Sequence, residues 1–252
     1  MNGQTVIETQ DLTKVYGEQT AVNRLNLKIQ QGEIFGFLGP NGAGKTTTLI
    51  MLLGLSEPTS GKALVCGFDP TREPMRVKQV VGYLPENVGF YDDMNAVNNL
   101  QFIARLNGIP DSESRLKIDE LLHQVDLKPE PRKKVGEYSR GMRQRLGIAE
   151  VLLKDPKLVF LDEPTLGLDP DGTVQMLNLI QSLSREKQIT VFFSSHLLDQ
   201  VQRISHRIGI MLKGSLVAVG RIEDLAKEKL GVEEGKYTLE ELYMKYFKEG
   251  QP

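Results

Sequence analysis

The chain has 252 residues, of which 40% are hydrophobic; this predicts one or two globular domains with a sizeable core and excludes a disordered chain. Its formal net charge of -2 supplies no overall field that would attract nucleic acid, and leaves only a local basic patch open. Cys66 is the only cysteine, which excludes an internal disulfide and fits a reducing compartment and a packed position in a strand.

Segments that target or span a membrane are not predicted. Residues 1–10 lack the basic start and the apolar block of a signal peptide. The longest apolar run, residues 49–55, is interrupted by Gly54 and is far shorter than the roughly 18 residues that a spanning helix needs. If the protein serves a membrane, we expect another chain to cross it.

The first elements in chain order are strands that lead into a glycine-rich loop. Residues 5–9 and 25–29 alternate apolar and polar side chains, as half-buried strands do, and residues 34–38 form a short apolar strand. The loop follows directly, and residues 46–55 are predicted as the next helix. A plain turn with a chance lysine is the alternative, but the order strand, loop and helix favours a phosphate-binding loop.

This loop predicts a nucleotide site. We expect its backbone N–H groups and the helix N-terminus to surround phosphate, because glycine allows the loop to turn inward. Lys45 would reach the β- and γ-phosphates, and the Thr46 hydroxyl would take one place on Mg²⁺. The predicted nucleotide-binding residues of this segment are Gly39, Pro40, Asn41, Gly42, Ala43, Gly44, Lys45, Thr46 and Thr47.

The middle of the chain changes character. Strands are predicted at 63–66 and 80–84, whereas apolar residues between about 87 and 137 recur at helical spacing. A helical insert within an α/β core indicates a subdomain. Pro129, Pro131 and the basic run 132–134 are interpreted as a solvated connector.

The second half alternates strands and helices. Ser139 is predicted to cap a helix that runs to about Leu153, and residues 158–161 form an apolar strand typical of a buried parallel sheet. Asp169 and Pro170 predict the start of another helix. Further predictions are a strand at 189–193, a helix at 197–204, strands at 208–212 and 215–219, and a tail helix at 238–247. Thr238 and Glu241 form a capping box for that tail helix, for which packing on the chain's own body is favoured over binding a partner.

Two carboxylates at the end of strand 158–161 predict hydrolysis of the bound nucleotide. Asp162 is placed to hold the magnesium shell, as the second acidic motif of phosphate-loop enzymes does. Glu163 follows it, at a position from which a base can polarise an attacking water. The alternative, two acids that simply close a strand, is disfavoured by the segments that follow directly.

Four segments in the right order resemble the ATP-binding cassette (ABC) ATPases, over nearly the whole chain. Residues 138–145 (Tyr-Ser-Arg-Gly-Met-Arg-Gln-Arg) resemble the signature loop of that family. Residues 166–169 (Leu-Gly-Leu-Asp) resemble its D-loop, residues 194–196 (Ser-Ser-His) its switch histidine, and Tyr16 the aromatic ring that stacks on adenine. Packing alone stays an alternative for Tyr16, and a structural role stays one for His196.

The resemblance implies a site shared between two chains. Ser139 and Gly141 of one copy would reach the γ-phosphate held by Lys45 and Thr46 of a second copy. Arg140 and Asp169 would lie beside this interface between the two copies, called the seam below. Glu163 and His196 are the implied catalytic residues, the histidine holding the γ-phosphate and the water. Mg-ATP would therefore join a homodimer.

Three residues depart from the family pattern. Glu86 stands where the family often has glutamine; it could bind nucleotide, magnesium or water, but its negative charge leaves that role open. Arg140 replaces a glycine and adds positive charge near the seam. Met142 replaces a polar residue and cannot donate a hydrogen bond, whereas Ser139 and Gly141 are both present.

The predicted architecture is α/β: a phosphate-loop NTPase core with a mixed or parallel sheet, an N-terminal antiparallel β region and an inserted helical subdomain at about 87–153. The cassette is expected to span 1–225, followed by a short helical extension at 226–252. A small-molecule kinase would leave residues 139–142 and His196 unexplained. Soluble cassettes that act on DNA or ribosomes usually carry a long coiled-coil insert or two cassettes in one chain.

Transport is therefore the favoured class. The resemblance implies an ATPase on the cytoplasmic side of the cell membrane that works with a separate integral membrane permease, with no nucleic acid as partner. Residues 83–87 and 138–145 are similar to exporter-type cassettes, and residues 82–91 are also similar to ATPases that support copper-site assembly in nitrous-oxide reductase. The cargo is not readable from these residues, and a soluble ATPase acting on ribosomes or nucleic acid stays the alternative.

Overall fold

The structure is a computed structural model that describes residues 4–127, 132–231 and 237–249. The strands are β1 (Thr5–Tyr16), β2 (Gln19–Gln30), β3 (Ile34–Leu38), β4 (Ser60–Val65), β5 (Val81–Leu84), β6 (Leu158–Asp162), β7 (Thr190–Ser195), β8 (Arg207–Leu212) and β9 (Ser215–Gly220). The helices are α1 (Lys45–Leu52), α2 (Pro74–Val80), α3 (Ala96–Leu106), α4 (Asp111–Gln124), α5 (Arg140–Leu152), α6 (Pro170–Lys187), α7 (Leu198–Ile204), α8 (Ile222–Leu230) and α9 (Leu239–Glu249), with a 3₁₀ turn at Val135–Glu137. This is the predicted α/β fold, with an antiparallel N-terminal sheet and a second, mixed sheet.

The N-terminal sheet has the strand order β2-β1-β4, and both pairings are antiparallel. Strands β1 and β2 are longer than the alternation of their residues predicts. The reason is that the ladder shifts register between Thr9 and Leu12, where Asp11 has a φ of 46°, and Arg24 on the opposite strand has a φ of 48°. Such bulges interrupt the period-two pattern without ending the strand.

The larger sheet has the order β5-β6-β7-β3-β8-β9, parallel except for β9. Strand β3 lies between β7 and β8, and all five of its residues are buried. Phe192 on β7 packs against Phe35, Phe37 and Phe160, with ring centroids 5.2 to 5.6 Å apart. Each such buried ring contributes roughly 1.5–3 kcal/mol, so the rings fix β3, β6 and β7 side by side. Their carboxyl ends consequently meet at one edge of the sheet, where ligands of α/β proteins bind.

The helices α3, α4 and α5 pack on one another beside this sheet. Helix α5 begins as predicted, with the Ser139 hydroxyl accepting a hydrogen bond from the Met142 N–H at 3.2 Å. The buried Asn99 side chain on α3 binds the backbone of Tyr91 in both directions, which ties the preceding loop to the helices. The division into a cassette with a subdomain at 87–153 and an extension at 226–252 stays a prediction.

Three local expectations change. Helix α2 was not expected, because it is a short helix that begins at Pro74, and helix α8 begins at Ile222, four residues before the helical extension predicted from 226. Cys66 lies in the turn after β4, with a φ of 51°, rather than in the strand. The reason is that Val65 already pairs with Phe68 across this turn. The expected connector at 129–134 falls partly outside the described residues, which omit 128–131.

The tail helix α9 packs on the chain's own body. Leu239 and Leu242 are fully buried, and α9 contacts both α7 and α8. The capping box forms: Thr238 Oγ1 accepts from the Glu241 N–H at 3.2 Å, and Glu241 Oε2 accepts from the Thr238 N–H at 2.9 Å. Within the described residues, no helix is long and apolar enough to cross a bilayer.

Candidate functional site

The phosphate loop joins the carboxyl end of β3 to the first residue of α1. Gly44 has a φ of 104°, and a Cβ placed on it would lie 2.2 Å from the Ala21 carbonyl oxygen, so a side chain is excluded there. The buried Lys45 ammonium donates to the Gly39 carbonyl at 2.7 Å and lies 3.4 Å from the Pro40 carbonyl oxygen. The loop thus holds its lysine pointing back over residues 39–44, as a cradle for phosphate requires.

Asp162, at the end of β6, joins the loop to the neighbouring strand. Its Oδ2 accepts from the Thr46 hydroxyl at 3.1 Å, and its Oδ1 accepts from the Ser194 hydroxyl at the end of β7. Burial, together with the negative charge of Asp162, raises the pKa of Tyr83 to about 12, so that phenol stays protonated near neutral pH. Asp162, at the end of β6, is therefore held in one orientation by a hydroxyl from α1 and by a hydroxyl from β7.

Glu163 is buried and has a φ of 49°, in the left-handed region that is costly for a residue with a side chain. Its N–H donates to Ser194, and its Oε1 lies 3.4 Å from the Lys45 ammonium. At that distance the pair is an ion contact rather than a hydrogen bond, and Oε1 has no hydrogen-bond partner among the described residues. Its Oε2 lies 3.0 Å from His196 Nδ1. Backbone strain and an unsatisfied buried oxygen in one residue indicate a functional position.

His196 follows the end of β7, and its side chain is 35% exposed. It therefore lies at the rim of the site, between solvent and the buried Glu163 carboxylate. The structure brings together the predicted residues Lys45, Thr46, Asp162, Glu163 and His196 around the mouth of the phosphate loop.

These residues fit a magnesium nucleotide. Magnesium prefers oxygen ligands and is usually held by one or two carboxylates, substrate phosphates and water. The Thr46 hydroxyl and the Asp162 carboxylate supply such oxygens 3.1 Å apart, beside an ammonium and a glycine-rich loop that suit phosphate. In the described part of the chain, no group of three or more His, Cys, Asp or Glu side chains is placed to hold a metal ion.

The signature and D-loop segments come together at a different surface. Ser139, Arg140 and Asp169 are exposed, and these segments line one cavity of about 350 Å³. Arg140 covers the D-loop: a Cβ placed on Gly167 would lie 3.1 Å from Arg140 Nε. Asp169 caps α6 by accepting from the Gly172 N–H at 2.7 Å. Within one chain this surface is a second cluster, separate from the one around Lys45.

Two predicted residues lie apart from the cluster around Lys45. Tyr16 ends β1 with its ring 49% exposed and the Lys14 ammonium 4.9 Å from the ring centroid. Glu86 is exposed beyond β5; its carbonyl accepts from the Gln144 side chain at 3.3 Å, and it lines a cavity with Arg140 and Arg143. The structure therefore groups Glu86 with the signature segment rather than with Thr46 and Asp162.

Ser194 has a role that was not predicted from the sequence. This residue was part of the segment that resembles the switch histidine, yet it donates to Asp162 and accepts from the Glu163 N–H. The signal in the sequence was a hydroxyl at the end of a strand, close to the site only if that strand is next to β6 in the sheet. The pairing of β7 with β6 provides this, but the strand order is not readable from the sequence.

Comparisons with known proteins agree with this geometry. The family model for the ABC transporter matches residues 22–166. The bacitracin transport ATP-binding protein BcrA of Bacillus licheniformis is 46% identical over 213 residues, which are 84% of this chain and 69% of that protein. A solved structure of an ATP-binding subunit of an ABC transporter has a TM-score of 0.85 and 27% identity, covering 96% of this chain and 100% of that one. The dimeric cassette MJ0796 bound to ADP and Pi shares the fold, with a TM-score of 0.77 at 24% identity over 86% of this chain and 98% of that chain.

A glycine-rich loop, two buried carboxylates and a histidine that gather on this fold agree with an ATP-hydrolysing cassette. The chain belongs to the ABC transporter family, as an ATP-binding subunit with ATPase activity.

Proposed function

We propose that this ATPase works as a homodimer on two Mg-ATP and drives a separate integral membrane permease from the cytoplasmic face. The observation that carries the proposal is the buried Glu163 carboxylate, which lies within 3.4 Å of Lys45 and 3.0 Å of His196 at the mouth of the phosphate loop. A carboxylate held by two such groups is suited to polarise water next to a bound γ-phosphate.

We assign a role to each site residue, and its position in the structure supports that role. Backbone N–H groups of residues 39–47 and the Lys45 ammonium bind the β- and γ-phosphates. Thr46 and Asp162 hold Mg²⁺, which when bound neutralises charge on the phosphate oxygens. Glu163 takes the proton of the attacking water, and His196 keeps that water and the γ-phosphate in line. Tyr16 stacks on adenine from its exposed position, and Glu86 contacts nucleotide, magnesium or water.

A second copy completes each site. The N-terminus of α5, which the exposed Ser139 caps, carries the positive end of the helix dipole, and Arg140 adds a cation beside it. Gly141 and Asp169 line the same cavity, so this surface suits the γ-phosphate of a partner's ATP. The similar fold of MJ0796 was solved as a dimer, which supports this arrangement.

The permease and cargo are inferred from relatives alone. BcrA is named as a bacitracin transport ATP-binding protein, and at 46% identity it supports a role in transport. Support of copper-site assembly in nitrous-oxide reductase stays a hypothesis based on residues 82–91, and the soluble alternative gains no support from a specific contact.

The experiment is the substitution Glu163→Gln. Removing the base while keeping the side-chain volume is expected to preserve ATP binding, reduce turnover by about 10²–10⁴-fold and trap an ATP-bound dimer. Steady-state hydrolysis and size-exclusion chromatography with Mg-ATP measure both effects. Near-normal turnover in this variant would refute the assignment of Glu163.

A pair of variants with side chains of similar size but different charge tests the proposed interface between the two copies. In the Glu163→Gln background, Ser139→Asp keeps an N-cap on α5 but places a negative charge where a γ-phosphate is expected, and Ser139→Asn keeps the cap without the charge. With ATP present, we expect the Ser139→Asp variant to be monomeric and the Ser139→Asn variant to form more dimer than the Asp variant. Equal dimerisation of the two would contradict a Ser139–phosphate contact.

A further inference from the structure

The tail helix α9 is fixed to the helix that follows the switch histidine. Helix α7 begins at Leu198, two residues after His196. The Leu239 N–H at the start of α9 donates to the Gln202 side chain on α7 at 2.9 Å. With Leu239 and Leu242 fully buried, α9 is attached to α7 by an apolar contact and by a hydrogen bond at its first turn.

One side chain of α9 reaches the edge of the nucleotide site. Tyr243, one helical turn after Leu239, lines a cavity of about 330 Å³ with Gly39, Pro40, Asn41, His196 and Leu198. Tyr243 is partly buried, and its ring stacks on Phe247 with centroids 6.1 Å apart. Burial raises the pKa of the phenol, so the side chain stays neutral near the charged site. The ring of Tyr243 is thus one wall of a cavity whose other walls are the start of the phosphate loop, His196 and Leu198.

We propose that Tyr243 is a positioning residue for ATP hydrolysis, which acts by holding His196 beside Glu163. The His196 side chain is partly exposed, and its contact with Glu163 spans 3.0 Å at the rim of the site. The ring of Tyr243 limits the space into which His196 and Leu198 can move, and α9 limits the movement of α7 itself. Misplacing a catalytic group slows the chemical step even when substrate binding is intact.

This inference rests on the proposed role of His196, and it goes further by giving the tail helix a part in turnover. Because Tyr243 acts through another residue, its loss is expected to change kcat rather than the KM for ATP. The aromatic ring, not the hydroxyl, does the positioning, so phenylalanine is expected to replace tyrosine.

The test compares Tyr243→Ala, Tyr243→Phe and Met244→Ala in the full chain by steady-state ATP hydrolysis and thermal unfolding. Met244 is the matched control, since it neighbours Tyr243 on α9 but is 41% exposed. We expect Tyr243→Ala to lower kcat about threefold or more with KM within about twofold, while Tyr243→Phe and Met244→Ala keep wild-type values. Wild-type kcat in Tyr243→Ala, or an equal loss in Tyr243→Phe or in Met244→Ala, would overturn the proposal.

A second variant covers the case in which Tyr243→Ala does not fold. Gln202→Ala removes the acceptor for the Leu239 N–H at an exposed position of α7, and we expect the same fall in kcat with an unchanged KM. Wild-type kcat in Gln202→Ala then contradicts the proposal. The Glu163→Gln result separates the two levels: an inactive Glu163→Gln with a fully active Tyr243→Ala removes only the positioning role, whereas an active Glu163→Gln removes the site assignment itself.

Discussion

Glu163 shows how single residues are placed against their local preference. Its left-handed backbone costs of order 1 kcal/mol, and its carboxylate is buried. The cost is offset by the Ser194 contacts to its N–H and by the contacts of its carboxylate with the Lys45 ammonium and the His196 ring. A residue that folds at a cost and leaves one oxygen unsatisfied is arranged for a ligand rather than for stability.

Two glycines of the phosphate loop allow the cost of backbone strain to be measured apart from the cost of a steric clash. Gly42→Ala introduces strain alone, because Gly42 has a φ of 78° with no atom within 4 Å of its Cβ position. Gly44→Ala introduces strain and a 2.2 Å approach to the Ala21 carbonyl. We expect Gly42→Ala to lower the free energy of unfolding by about 1 kcal/mol and Gly44→Ala by at least about 2 kcal/mol more, measured by urea denaturation without nucleotide. Equal losses would contradict the close packing of the loop on β2.

At the scale of elements, helix ends were readable from the sequence because capping is local. Ser139, Asp169 and Thr238 each begin a helix where the sequence places a cap, since a cap and the N–H it binds are only three residues apart. The start of helix α8 was missed because Arg221, the residue before it, supplies no side-chain cap. The full lengths of β1 and β2 were missed because bulges break the alternation from which strands are read.

The capping box of α9 can be tested by its effect on local opening. Thr238→Ala removes the acceptor for the Glu241 N–H, and we expect faster amide hydrogen exchange in the first turn of α9, by an amount equivalent to about 1 kcal/mol. Thr238→Ser keeps the hydroxyl and is expected to retain protection. Unchanged exchange in the alanine variant would show that tertiary packing alone holds the helix start.

The candidate site divides in the same way between local and distant contacts. The phosphate loop, Asp162 and Glu163 were found from adjacent residues, because strand, loop and helix follow one another in the chain. The contact of Arg140 with Gly167, the clamp from Ser194 and the approach of Tyr243 join residues 27, 32 and about 200 positions apart. Such contacts depend on strand order and helix packing, which a single sequence does not determine.

At the scale of the whole molecule, the two surface clusters point to an assembly larger than one chain. Lys45 and Glu163 belong to the proposed phosphate site, and Ser139 and Gly141 lie in a separate cavity. Two half-sites on different parts of one chain suit association with a second copy, and its family membership implies a transport system.

Association with a membrane partner gives the prediction at this scale. Purified from native membranes in mild detergent, the protein is expected to co-elute with an integral membrane chain and to stay with it through a high-salt wash. Treatment with nuclease is the control, and it should leave the complex unchanged. Recovery only with ribosomes or DNA would instead favour the soluble class of cassette.

The strand order also determines when the nucleotide pocket can form during synthesis. Strand β3 ends at residue 38, but its neighbours β7 and β8 begin at residues 190 and 207. A nascent chain therefore exposes an apolar strand with two unpaired edges for most of its translation, a condition that favours aggregation and recruits chaperones. We expect fragments that stop before Leu212 to gain no stability from ATP, because strands β7 and β8, which flank β3 and support the phosphate loop, are synthesised late.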